Sequence, residues 1–227
     1  MITIDLTDKR VLITQSDFFM GPALVKVFKK LGAVVIEDTG FLNEVEKPDN
    51  LIKTSGRIDI LLANLGVPAA STLATDVCEK EWNFAFSHMV DPLFRITKAV
   101  LPQMISRQEG KIILIGSASA LKGIKKYSTY SAARGAQLAY IQSVGVEVAK
   151  NNIQINAIAQ NYVDNEMYFP EKVKSNPIFK QKIKNDVPLG RLVTDEEDAY
   201  FAAYLCSDLA NCFVGQIFPV CGGWVNR

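Results

Sequence analysis

The sequence has 227 residues with 25 Lys+Arg, 24 Asp+Glu and one His, a formal charge of +1, and it is 48% hydrophobic and 22% charged. That is an ordinary globular composition, long enough to bury roughly 70–75% of the unfolded surface in one core. The balanced charge excludes a nucleic-acid surface, which needs a local excess of Lys and Arg to displace counterions; the densest basic patch, Lys122 to Lys126, reads as a solvated loop. Cys78, Cys206, Cys212 and Cys221 form no C-x-x-C and have a single His to help them, which argues against a structural zinc or any other metal site. The stretch Met1 to Arg10 lacks a cationic start followed by an apolar run, and no apolar stretch approaches the ~20 residues that cross a bilayer. The expected setting is the reducing cytoplasm, away from membranes.

Short β-branched runs alternate with longer helical patterns, the signature of repeated βαβ units and a parallel sheet covered on both faces. The predicted order is a strand Val11 to Thr14, a helix Gly21 to Lys30 stopped by Gly32, a strand Ala33 to Glu37, and a short helical piece near Asn50 to Thr54. A buried strand Ile58 to Ala63 then precedes a long helix from Glu79 to Arg107. Lys111 to Ile115 is the next strand, Tyr127 to Lys150 the next helix, and Ile153 to Ile158 the strand after it. Residues 159–188 lack clear periodicity and read as a lid or binding segment. A helix Asp195 to Cys206 and a strand Gln216 to Val220 close one doubly wound domain spanning 1–227.

Ser117 follows the carboxyl end of a strand, the edge at which open α/β sheets place their ligands. Tyr130 lies thirteen residues on, and Arg134 one helical turn further along the same face. A phenol is too weak a base at neutral pH, and an adjacent guanidinium favours its phenolate form. Ser117 would hold a substrate oxygen while Tyr130 takes its proton. The plainer reading of the Tyr130 and Arg134 spacing is a local contact on a half-exposed helix.

Ser117-x12-Tyr130-x3-Arg134, with Thr14-x4-Phe19-x-Gly21 after the first strand, resembles the paired signature of the halohydrin dehalogenases, cofactor-independent relatives within the short-chain dehydrogenase/reductase superfamily. The stretch from Gly116 to Gln160 is most similar to the B-type members. The resemblance covers essentially the whole chain and implies a Rossmann-like, doubly wound, parallel seven-stranded sheet with helices on both faces. Departures from the oxidoreductase pattern point the same way. The glycine-rich turn of those enzymes is here Thr14-Gln15-Ser16-Asp17-Phe18-Phe19-Met20-Gly21, whose bulk and charge oppose a diphosphate. Arg134 replaces the usual lysine, Met89 stands where the proton-relay asparagine is expected, and Gln160-Asn161 replaces Pro-Gly.

The resemblance implies a carbon–halogen lyase that converts vicinal halohydrins to epoxides and halide, and opens epoxides with small anions in reverse, with no nicotinamide and no metal. Ser117, Tyr130 and Arg134 are then catalytic. Phe19, Asn161 and Tyr162 line a halide pocket, with Gln160 at its edge and the N–H groups of Tyr162 and Val163 as halide donors. Asp38, near the end of the second strand, is the kind of acid that bonds a ribose and supports the alternative of an NAD(P)-dependent reductase. A catalytically silent oligomeric relative is the other alternative. Ala63-Asn64-Leu65-Gly66 resembles a segment of the superfamily that supports the sheet, and His88 reads as structural. The small residues Ser131, Ala132, Ala133, Gly135, Ala136 and Ala139 imply subunit contacts in a homotetramer.

Overall fold

A computed structural model describes residues 3–226, so the first two residues of the Met1 to Arg10 stretch lie outside the described residues. Six strands form one parallel sheet: β1 Arg10–Ile13, β2 Val34–Glu37, β3 Ile60–Ala63, β4 Gly110–Ser117, β5 Ile153–Gln160 and β6 Ile217–Val220. Their spatial order is β2-β1-β3-β4-β5-β6, with every neighbouring pair parallel. The strand order reverses between β1 and β3, which opens a crevice beyond the carboxyl ends of the strands.

The seventh strand implied by the resemblance is absent among the described residues. Between β2 and β3 the chain carries Gly40, the helix α2 (Lys47–Ser55) and Gly56, with Pro48 in the first turn of the helix. No β-branched run is left there to pair outside β2, which remains the edge with its valines partly exposed.

Side chains alternate across each strand, so the two faces build separate cores. Ile13, Ile113, Ile115 and Ile158 meet Leu24 and Phe28 of α1 (Gly21–Lys30) and Ala202 of α8 (Asp195–Cys206). Leu12, Leu61, Ile112 and Leu114 meet Leu93 and Ile96 of α4 (Asp91–Arg107) and Leu138 of α5 (Ser128–Val148).

The long helix expected from Glu79 to Arg107 runs over those residues without interruption, as α3 (Glu79–Ala85), a wide π turn Phe86–Val90, and α4. Pro92 has no N–H to continue the ladder, and Met89, at the centre of the turn, gives its carbonyl to Gln137 Nε2 at 2.8 Å. Segment 159–188 differs from expectation. Ala159 and Gln160 extend β5, and two helices follow, α6 (Glu171–Lys174) and α7 (Pro177–Asp186). Helix α7 starts with Pro177 in its first turn behind the Asn176 cap, whose side chain accepts from the Ile178 N–H at 2.8 Å. Among the described residues no helix is long and apolar enough to cross a membrane, and no cluster of His, Cys, Asp and Glu is placed to hold a metal ion. All four cysteines are unpaired.

Candidate active site

A cavity of about 410 Å³ opens at the carboxyl ends of β4 and β5. Ser117, Tyr130 and Arg134 all face it, as do Phe19, Gln160, Asn161, Tyr162 and Val163, so every site residue predicted from the sequence comes to one place. Ser117 is the last residue of β4 and pairs with Gln160, the last of β5. Tyr130 sits in the first turn of α5, and Arg134 one turn later is buried at 5% exposure.

The buried guanidinium defines the site. Arg134 Nε donates to Tyr130 Oη at 3.0 Å, and Nη1 donates to the carbonyls of Leu65 (3.0 Å) and Ile115 (3.2 Å) and to Gln137 Oε1 (3.0 Å). No carboxylate lies within ion-pair distance among the described residues. Arg134 is thus a buried cation compensated only by neutral oxygens, one of them Tyr130 Oη.

Ser117 Oγ receives the N–H of Ser119 at 3.2 Å and lies 2.9 Å from Ser119 Oγ. When the Ser119 hydroxyl donates, both bonds end on Ser117 Oγ and leave the Ser117 hydroxyl proton for a ligand oxygen in the cavity.

Tyr168 brings a second phenol to the cavity. Its ring stacks on Phe19 at 5.6 Å, and its hydroxyl accepts the Ala69 N–H at 3.2 Å. Burial first, and then the neighbouring Tyr130, push its pKa up to about 12, so Tyr168 remains a neutral hydroxyl.

Phe19 adopts a left-handed backbone, φ 48°, and its ring fills the space beside Gly66. A Cβ on Gly66 would come within 2.6 Å of Arg134 Nη2 and 3.0 Å of Phe19 Cε2. Phe18 packs edge-on against Phe19 and Phe41, and Phe41 against His88, whose Nδ1 is 2.9 Å from the Phe84 carbonyl; His88 is thus a packing residue, as expected.

The β1–α1 turn is where a parallel sheet of this kind takes a dinucleotide diphosphate, on free N–H groups at the helix start. Here the Gly21 N–H goes to the Phe18 carbonyl, the Phe18 N–H goes to the Gln15 carbonyl, and Pro22 has none. Among the described residues the N–H groups of Asp17, Phe19 and Met20 have no protein partner, and the rings of Phe18 and Phe19 stand in the turn where glycines would leave the backbone open. Beside it, Asp38 Oδ2, Ser16 Oγ and Gln15 Nε2 are buried without partners, and burial pushes the Asp38 carboxyl up to about 6.

Two halide-pocket expectations meet different outcomes. The Tyr162 N–H is taken by its neighbour's side chain, Asn161 Oδ1 at 3.0 Å, whereas the Val163 N–H has no protein partner. Tyr162 is left-handed, φ 54°, and Asn161 carries the backbone into that bend. The Gln160 amide donates to Asp198 on α8, which anchors the end of β5.

Gln137 was not singled out in the sequence, although it lies three residues after Arg134 and seven after Tyr130, on the same helical face. It is fully buried and ties Arg134, the Leu65 carbonyl and the π turn together. Ser119, Tyr168, Lys182 and Trp224 also line the cavity. The last three lie in stretches without periodicity or a motif to mark them.

A six-stranded parallel sheet with a ligand-sized cavity at its carboxyl edge, lined by Ser117, Tyr130 and Arg134, is the arrangement of a doubly wound α/β fold. The family described as enoyl-(acyl carrier protein) reductase matches residues 44–225, and the chain belongs to it, within the short-chain dehydrogenase/reductase superfamily. The chain is 28% identical to a 3-oxoacyl-(acyl-carrier-protein) reductase FabG of Rickettsia prowazekii, over 97% of this chain and 98% of that protein. It is 27% identical to nodulation protein G of Rhizobium meliloti, over 96% and 98%. Among solved structures, one described as a dehalogenation enzyme is 28% identical with a TM-score of 0.89, covering 97% of this chain and 99% of that one. The L-sorbose reductase of Gluconobacter frateurii, complexed with NADPH and L-sorbose, has a TM-score of 0.90 at 23% identity over 100% of both chains, a likeness of fold.

Proposed function

We propose that the protein is a halohydrin dehalogenase, a lyase that needs no dinucleotide. The observation that carries this reading is Phe19, whose ring lies against Gly66 beside Arg134 and, with Phe18 packed on its edge, fills the turn with aromatic bulk. Substrate binds with its hydroxyl between Ser117 and Tyr130. The Ser117 hydroxyl donates to the substrate oxygen, and Tyr130, beside the Arg134 guanidinium, removes its proton. The developing alkoxide attacks the adjacent carbon from behind the halogen, the carbon–halogen bond breaks, and the halide departs with the electron pair. Its pocket is formed by Phe19, Asn161 and Tyr162, with the Val163 N–H as the donor left to meet it. Gln160 holds the strand end from which this pocket hangs. Epoxide opening by small anions reverses the same steps.

The protein is further proposed to act as a homotetramer in the cytoplasm. The exposed aromatics Trp82, Phe84 and Phe94, and Val146 on α5, supply apolar surface for subunit contacts.

A reductase reading is favoured by two observations: the relatives named as 3-oxoacyl reductases, and the unpartnered polar atoms of Asp38 and Ser16 beside the turn. A thermal melt separates the two. A ligand that binds the native state raises its melting temperature by mass action. The lyase reading expects no shift with millimolar NAD(H) or NADP(H), and a saturable rise of several degrees favours the reductase.

A further inference from the structure

The cavity carries a second cationic feature, separate from Arg134. Lys182 on α7 lines it beside Tyr162 and Trp224 and forms an ion pair with Asp186 one turn further on. The hydrogen bond to Asp186 raises the pKa of its ammonium, burial opposes this, and the Tyr162 hydroxyl adds to the rise. Lys122, which does not itself line the cavity, donates from Nζ to the carbonyl of the lining Trp224 at 3.1 Å and sits 4.5 Å from the centre of its indole ring. Lys125 and Lys126 lie between Ile124 and Tyr127, both of which line the cavity. Among the described residues Lys122, Lys125 and Lys126 form no ion pair, and the nearby acids Asp164 and Glu166 are both taken by Lys174. The exposed basic loop thus lies next to the cavity wall, and of these four lysines only Lys182 has a carboxylate partner among the described residues, Asp186.

We propose that Lys182 and Lys122 select substrates bearing a carboxylate at the end remote from the reacting carbon, making the substrate class short halohydrin acids. This rests on the halohydrin reading above. Ammonium groups at a cavity rim attract an anionic substrate and raise its local concentration, and a partly exposed ion pair stabilises the bound state by up to about fivefold. With 4-chloro-3-hydroxybutanoate, the C3 oxygen bonds to C4 as the C4–chlorine bond breaks. Chloride leaves with the electron pair, the hydroxyl proton passes to Tyr130 and then to water, and the product is 3,4-epoxybutanoate with its carboxylate unchanged.

The test has a binding arm and a turnover arm. Dissociation constants are measured by calorimetry for the unreactive pair 3-hydroxybutanoate and 3-hydroxybutanamide. The wild type is expected to bind the acid about five- to tenfold more tightly, and Lys182→Gln combined with Lys122→Gln to bring the two within about twofold. Lys150→Gln, at the far end of α5, should leave the ratio unchanged. Equal affinities in the wild type, or a ratio that survives the double substitution, would overturn the proposal. In the turnover arm, kcat/KM for chloride release from 4-chloro-3-hydroxybutanoate should exceed that from its amide by a similar factor. Absence of chloride release from both overturns the lyase reading, while the binding arm still decides the anion preference.

Discussion

Arg134 Nε stands 3.0 Å from Tyr130 Oη, and this is the one bond its guanidinium makes to a group that can become an anion. Its other bonds go to the Leu65 and Ile115 carbonyls and the Gln137 amide. Planar donors are needed to serve all four acceptors at once, which a lysine ammonium on its flexible stem does not supply. Arg134→Lys is therefore expected to lower kcat/KM for a halohydrin by at least ~10²-fold. It should also lower the urea midpoint, because each buried carbonyl left unpaired costs about 1–3 kcal/mol. A rate within threefold of the parent would mean that charge alone suffices at this position.

Where the Ser119 hydroxyl donates to Ser117 Oγ, it turns the Ser117 hydroxyl toward the cavity. Its Oγ is 2.9 Å from Ser117 Oγ, and its side chain makes no other hydrogen bond. Ser119→Ala leaves the backbone N–H contact in place but removes the bond that keeps the Ser117 proton turned toward substrate. The expected result is about a tenfold fall in kcat/KM with little change in melting temperature. Unchanged kinetics would show that Ser117 orients without its neighbour.

Gly66 is glycine because a side chain there has no room. A methyl group would meet Arg134 Nη2 at 2.6 Å and the Phe19 ring at 3.0 Å. Gly66→Ala should displace the guanidinium from Tyr130 and reduce turnover by one to two orders of magnitude, a larger effect than a single misplaced contact has on stability. Full activity in this variant would place Arg134 outside the chemistry.

Asp198 links the site to stability. It is buried in the first turn of α8, with Oδ1 unpartnered, and burial pushes its carboxyl up to about 7, the Gln160 amide opposing and Asp195 adding to the rise. A carboxyl whose folded pKa exceeds its unfolded value of 3.8 binds more protons in the native state between those two values. Stability should therefore fall as pH rises from about 4 to about 7 through this group. Asp38, raised to about 6, acts in the same direction over a narrower range. Asp198→Asn keeps an acceptor for Gln160 and should raise the melting temperature at pH 8 relative to the parent while flattening that decline. Parallel pH–stability curves for the two proteins would contradict the assignment.

Much of the molecule was legible because it rests on periodicity. Strand β5 and helix α8 follow from an alternating Ile-x-Ile pattern and a run of first-turn acids leading into apolar residues, and Thr194 with Glu197 forms the capping box that starts α8 at Asp195. Tyr130 and Arg134 were readable because their contact is local, one helical turn apart. Contacts set by tertiary closure were not. Tyr168 reaches the cavity because the chain between Asp164 and Pro170 bends back over Phe19, which no local pattern encodes. The carbonyl of Met89 in the π turn meets Gln137, a residue 48 positions away. The halide-donor reading of Tyr162 failed for a related reason, since its N–H is taken by the side chain of Asn161 once Tyr162 turns left-handed.

The central claim is dehalogenation at Tyr130 without a dinucleotide, and halide release tests it most directly. Purified, extensively dialysed protein is given 1,3-dichloro-2-propanol with no nucleotide added, and chloride and epoxide are measured together. The account predicts equimolar chloride and epichlorohydrin at a rate proportional to enzyme, falling at least ~10²-fold in Tyr130→Phe. No chloride from the wild type, together with consumption of NADPH when a 3-oxoacyl substrate is supplied, would contradict it and establish a reductase.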